Sequence, residues 1–109
     1  MIEIVKLKAK RYEYLKNIDY YLGKIKKLAE KHLREFEMYI FGSFAEGKNV
    51  PSSDVDILIF SKEVTPEKRV EILKDAYIEL GFLHPFEIHV VDEEGFEFYK
   101  KFVKKFKKI

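Results

Sequence analysis

Three short β-prone runs set among helical segments predict an α/β (α+β) fold, a small mixed sheet of three to four strands with helices packed against it. The runs are EMYIF (Glu37–Phe41), DVDILIF (Asp54–Phe60) and FEIHVV (Phe86–Val91). Around them, apolar residues recur every three or four positions, the period of a helix with one buried stripe. With 109 residues, 47% of them hydrophobic, the chain can close one modest core, and a single domain over residues 1–109 is expected.

Between Val5 and Phe36 the stripe is Leu15, Ile18, Leu22, Ile25, Ala29 and Leu33. It predicts one long helix, with Gly23 as the place for an interruption. The strand Glu37–Phe41 ends at Gly42-Ser43, where a short helical turn should begin, and GKNVPSS (Gly47–Ser53) is the longest loop. The last four residues of DVDILIF are all apolar, which suits a strand covered on both faces. TPEKRVEILKDAYIELG reads as a helix with Thr65 as N-cap, Pro66 in the first turn and Gly81 at its end, burying Val70, Leu73, Tyr77 and Leu80. After the third strand, EEGFEFYKKFVKKFKKI predicts a last helix whose stripe is Phe96, Tyr99, Phe102, Val103 and Phe106. Its acids come first and its lysines last, as the helix dipole favours.

Composition narrows the function classes. Charged residues make up 37%, mostly Lys and Glu, and Gln and Cys are absent, a mix that resembles proteins from hot environments. Without Cys there is no disulfide framework and no thiolate metal site. A net charge of +2 gives no strong argument for nucleic-acid binding. No apolar run approaches the roughly 20 residues that span a bilayer, and the first residues lack the apolar core of a secretory signal. A soluble cytoplasmic protein is expected. The basic, aromatic tail YKKFVKKFKKI reads as a core-facing stripe with solvated lysines; membrane-surface and nucleic-acid binding are the other readings. Aromatic surface left over on so small a domain would form an interface, including one between copies of the chain.

The chemistry concentrates in FGSFAEGKNVPSSDVDILIF (Phe41–Phe60). Asp54 and Asp56 are two apart, so a strand puts both carboxylates on one face, roughly 6.5–7 Å apart along the chain. Such a pair is costly to bury unless a cation sits with it, and hard divalent cations such as Mg²⁺ suit oxygen ligands. Gly42 lets backbone approach a ligand closely, and Ser43 offers a hydroxyl and an amide at the start of a helical turn, where an anion such as phosphate is favoured. Lys48, in the loop between these halves, can reach a phosphate, and Ser53 joins it as a candidate nucleotide-binding residue. His89 shares the face of Glu87 and is expected to be a hydrogen-bonded structural histidine, with contact to a metal or substrate as the sharper reading. His84 should fix the entry to the third strand. His32 and Arg69 are expected on the surface.

The stretch resembles the signature of the DNA polymerase β-type nucleotidyltransferase superfamily: Gly-Ser, a helical turn, a glycine, a loop, then Ser-Asp-x-Asp within apolar residues. Here that is GSFAEG followed by SSDVDILIF. The chain length resembles the minimal nucleotidyltransferases of prokaryotes, which pair with HEPN-domain proteins as antitoxins. The resemblance implies a polymerase β palm-like fold and a reaction in which an acceptor hydroxyl attacks the α-phosphorus of a nucleoside triphosphate, ATP foremost, and pyrophosphate leaves. It implies that Asp54 and Asp56 hold two Mg²⁺ ions and that Gly42 and Ser43 hold the β and γ phosphates. A third acid belongs on a later strand, and Glu87 is the candidate, a departure from the aspartate more usual there. Asp92, just past that strand, is the fallback. The implied acceptor is a hydroxyl on a HEPN-type partner protein; the alternative is an antitoxin that keeps the fold but acts by contact alone.

Overall fold

The computed structural model describes residues 4–47 and 54–109. In place of one long first helix there are two, α1 (Ile4–Lys16) and α2 (Ile18–Glu30). The break is at Asn17 (φ −110°, ψ 36°), not at Gly23. The Asn17 side chain donates to the carbonyl of Glu13 at 3.0 Å, the same carbonyl that its backbone N–H reaches at 3.3 Å. Short amide side chains compete with the helix ladder in this way. Gly23 lies inside α2 on its exposed face. The second helix also stops before Phe36, and the turn that follows it carries Leu33 into the core.

The strands are β1 (Glu37–Phe41), β2 (Val55–Phe60), β3 (Phe86–Val91) and a two-residue β4 (Lys107–Lys108). They form one mixed sheet in the order β3-β2-β1-β4, as the sequence predicts in class. Strand β2 runs antiparallel to β1 and parallel to β3, and β4 runs antiparallel to β1. The central position of β2 explains its unbroken apolar run: Ile57, Leu58 and Ile59 are all fully buried.

Side chains alternate between the two faces of each strand, and each face has its own core. On one face Val55, Ile57, Ile59, Met38 and Ile40 pack with residues of α1, α2 and α4 (Pro66–Leu80). On the other, Phe41, Leu58 and Val91 lie beneath Phe96, Tyr99, Val103 and Phe106. Asp56 precedes Leu58 by two, so it sits at the end of this second face.

Helix α4 begins as expected: the Thr65 hydroxyl accepts from the Lys68 N–H at 3.1 Å, and Pro66 follows it. Its buried stripe, however, is Ile72, Ala76 and Leu80. Val70 and Tyr77, expected inside, are 65% and 52% exposed. The small Ala76 lets the helix lie close to the sheet, while Tyr77 rests on Phe82 and His84 at its edge. This rotation changes two surface expectations. Arg69 is part-buried, its Nε donating to the carbonyl of Val90 at 2.8 Å. His32 is half-buried between Asp75, at 2.6 Å from Nε2, and Glu71, at 3.5 Å from Nδ1.

The last helix, α5 (Glu93–Lys100), is also shorter than its stripe suggests. The chain turns after it, and β4 pairs with Tyr39 and Ile40. That covers an edge of β1 that would otherwise stand open. Phe106 fills the space between Tyr39, Phe41 and Phe96, whereas Phe102 is 57% exposed and meets the exposed Phe98 edge to face. Among the described residues, no helix is long and apolar enough to cross a membrane.

Candidate active site

Strand β1 ends in the short helix α3 (Gly42–Ala45), and the corner between them requires glycine twice over. Gly42 has φ +76°, a left-handed backbone that side chains disfavour. A Cβ there would also collide with Oδ2 of Asp56 and lie 3.3 Å from its Cγ. The corner is therefore pressed directly against the Asp56 carboxylate. Ser43 follows it, half-buried, at the start of α3.

Sheet register brings the acids together. Asp56 is opposite Phe41 in β1 and opposite Glu87 in β3. His89 lies two residues beyond Glu87 and so on the same face. Asp56, Glu87 and His89 each offer a potential ligand atom, and these atoms all lie within 4.8 Å of one another. The Nε2 atom of His89 is 3.6 Å from Asp56 Oδ1 and 3.7 Å from Glu87 Oε1, too far for a hydrogen bond to either. Its Nδ1 shares a hydrogen bond with the Tyr99 hydroxyl at 2.9 Å, and its ring rests against Phe41 and Tyr99.

The electrostatics match this crowding. Burial, and then the charge of Glu87, hold the Asp56 carboxyl above its ordinary value, with His89 pulling the other way. The same two carboxylates add to burial in pushing the Tyr99 hydroxyl up. A divalent cation would relieve this repulsion, and two carboxylates with one imidazole are a donor set such ions accept. The buried Nε2 of His89, without a hydrogen-bond partner among the described residues, points to the same fit.

Asp54 is placed elsewhere. Strand β2 starts at Val55, and Asp54, half-exposed before it, pairs with Arg11 of α1. The cluster of ligand atoms among the described residues contains Asp56 and not Asp54, whose carboxylate is engaged by an ion pair from a different element. Asp54 also faces His84, whose pKa burial lowers while the Asp54 charge opposes the fall. Nδ1 of His84 accepts from the Phe86 N–H at 3.1 Å, fixing the strand entry as expected. Asp92, the fallback acid, is instead the N-cap of α5 and accepts from the Gly95 N–H at 2.9 Å. Lys48 and Ser53 lie outside the described residues.

Two participants escape sequence reasoning. Tyr99 reaches His89 only because α5 packs across the sheet. Arg11 had a weak signal, being one of three arginines among 21 basic residues. In a chain that otherwise uses lysine, the planar fork of arginine marks places where a carboxylate or phosphate is to be gripped.

The sequence profile described as "Nucleotidyltransferase domain" matches residues 22–109. A crystal structure of a protein described as a candidate nucleotidyltransferase is similar at TM-score 0.70 and 24% identity, over 81% of this chain and 96% of that one. A second, from Sulfolobus solfataricus and described likewise, is similar at TM-score 0.54 and 23% identity, over 95% of this chain and 83% of that one. At such identities the likeness is one of fold. No curated protein gives a significant match. The matched profile runs from α2 to the last strand and so takes in the Gly42 corner and both acid-bearing strands; this chain belongs to the nucleotidyltransferase domain family.

Proposed function

We propose that the protein transfers a nucleoside monophosphate, AMP from ATP, to a hydroxyl on a partner protein of the HEPN type, and so acts as its antitoxin. The observation that carries the catalytic part is the Asp56 carboxylate, wedged between the Gly42 corner and Glu87 with its charge disfavoured. A chain gains nothing in stability from such a pair, and perturbed carboxylates gathered at one end of a sheet mark functional sites.

Asp56 and Glu87 hold a divalent cation, Mg²⁺ on the family resemblance, and Asp54 belongs to the set once released from Arg11. A cation held there would lower the pKa of the acceptor hydroxyl, whose proton would leave to solvent, and would neutralise charge on the triphosphate. The Gly42 corner, without a side chain, admits the triphosphate close to the backbone. Ser43 offers its hydroxyl and amide to the β and γ phosphates, and Lys48 and Ser53 supply further contacts. The acceptor oxygen forms its bond to the α-phosphorus as the bond to pyrophosphate breaks.

The test is label transfer from α-labelled ATP to the product of the neighbouring gene in the presence of Mg²⁺ or Mn²⁺. Labelled partner, and none with Asp54→Asn/Asp56→Asn, is the expected result. No label from the wild-type protein sinks the reading.

The pairing of Asp54 with Arg11 favours a second reading, an antitoxin that works by contact. If the double aspartate variant still neutralises the partner in cells, contact suffices. The same pairing gives a separate expectation: Arg11→Ala should tighten Mg²⁺ binding two- to five-fold, about the worth of a partly exposed ion pair. Calorimetric titration measures it, and unchanged or weaker binding would mean that Asp54 does not join the cation.

A further inference from the structure

The cation site proposed above carries a group that an all-oxygen Mg²⁺ site does not need. Mg²⁺ takes oxygen ligands almost exclusively, whereas imidazole nitrogen suits first-row transition ions. His89 brings its Nε2 to the two carboxylates and leaves it buried, with no hydrogen-bond partner among the described residues. A buried polar nitrogen without a partner is costly, and it needs an explanation.

His84 also buries an Nε2 without a hydrogen-bond partner among the described residues, but no cluster of ligand atoms among them includes it. At His89 the orphaned nitrogen stands 3.6 and 3.7 Å from Asp56 and Glu87, nearly equidistant, within ion-pair reach of a protonated ring but too far for a hydrogen bond to either. Those distances lie between the two values that shared coordination gives, so a small side-chain adjustment brings all three atoms onto one ion. Two ligands each about 2.1 Å from one octahedral ion lie roughly 3.0 Å apart when adjacent and 4.2 Å apart when opposite. The opposite ring nitrogen is already engaged, at 2.9 Å from the Tyr99 hydroxyl. A metal-bound imidazole is usually fixed in this way: Nδ1–H donates to an oxygen, which sets the tautomer and leaves the Nε2 lone pair to the ion. Phe41 and Tyr99, which also touch each other, pack against the ring and hold it in place.

We propose that His89 is a nitrogen ligand to the cation held by Asp56 and Glu87, and that the site therefore selects Mn²⁺ over Mg²⁺. The inference rests on the reading of Asp56 and Glu87 as cation ligands, not on the identity of the acceptor or on transfer itself. Tyr99 is a positioning residue that acts through His89.

The test uses the full chain with Mn²⁺ alone as the probe. Titration should show Mn²⁺ binding at least about ten-fold tighter than Mg²⁺. Pulsed electron paramagnetic resonance of the Mn²⁺-loaded protein should show coupling to one ¹⁴N nucleus, converted to ¹⁵N coupling when only histidine is ¹⁵N-labelled. These two readouts need no variant. His89→Gln should abolish the coupling and bring Mn²⁺ affinity down toward that of Mg²⁺, while His84→Gln should leave the coupling in place. Tyr99→Phe keeps the ring packing and should keep the coupling, with Mn²⁺ affinity about ten-fold lower. Mn²⁺ bound without nitrogen coupling, or coupling that survives His89→Gln, overturns the proposal and leaves a carboxylate cation site standing. No binding of either ion overturns the proposal together with the cation reading beneath it.

Discussion

Asp56→Asn is expected to make the cation-free protein more stable, by about 1 kcal/mol, and the transfer reaction at least about 100-fold slower. The two effects have one cause. Burial and the charge of Glu87 raise the Asp56 pKa, so the folded protein binds this proton more tightly than the unfolded chain does. Stability from a raised carboxyl is present while the group is protonated and is lost as pH climbs through the raised value. The wild-type protein should therefore fall behind the Asn variant as pH rises above the ordinary carboxyl value of 3.8, and the two should converge below it. A saturating divalent cation reverses the order. Ligand at 100 times its dissociation constant adds about 2.7 kcal/mol to the wild-type fold, and the variant loses most of that. Thermal melts between pH 3 and pH 8, with and without Mn²⁺ or Mg²⁺, read all of this. A variant that melts below wild type at pH 7 without cation, or gains as much as wild type from cation, would show that Asp56 carries no frustrated charge.

The parts of this site legible in the sequence are those fixed by strand periodicity. DVDILIF suits a strand covered on both faces, and its period of two puts Asp56 on the face that carries Leu58. The same period placed Glu87 and His89 together. Asp54 shows where that logic stops. It stands one residue before the strand, and its carboxylate is held by Arg11 from 43 positions away. Nothing local in the sequence encodes that pair.

The misplaced elements have equally physical causes. On α4, large side chains suggested the face of Val70 and Tyr77, but closeness to the sheet depends on the small Ala76. At the C-terminus, KKFKKI fits a helix or a strand, and the open edge of β1 decides for the strand. The break at Asn17 follows from a side chain that bonds the backbone, an effect no apolar stripe records. Each case turns on a contact between elements, or between side chain and backbone, that composition and spacing leave open.

Gly42→Ala is expected to disable the site, and Gly47→Ala separates the reasons. Both glycines have similar left-handed backbones, φ +76° and +78°. An alanine costs about 1–2 kcal/mol in that conformation wherever it occurs. At Gly47 a Cβ would meet none of the described residues within 4 Å, so the expected cost is the backbone strain. At Gly42 the Cβ would collide with the Asp56 carboxylate, and either that carboxylate or the β1–α3 corner has to move. A shift of about 1 Å in a catalytic group can cost on the order of 100-fold in rate. Gly42→Ala should therefore lose at least that much transfer activity and most of its cation affinity, while Gly47→Ala loses comparable backbone stability and keeps both within a few fold. Combining Gly42→Ala with Asp56→Gly removes the collision, so the double variant should regain much of the lost stability without regaining activity. That recovery identifies the clash as local to the carboxylate, because strain in the corner alone would leave the double variant as unstable as Gly42→Ala. Equal loss of cation binding in the Gly42 and Gly47 variants would mean that the corner contributes only its turn, and that Asp56 does not depend on the missing side chain beside it.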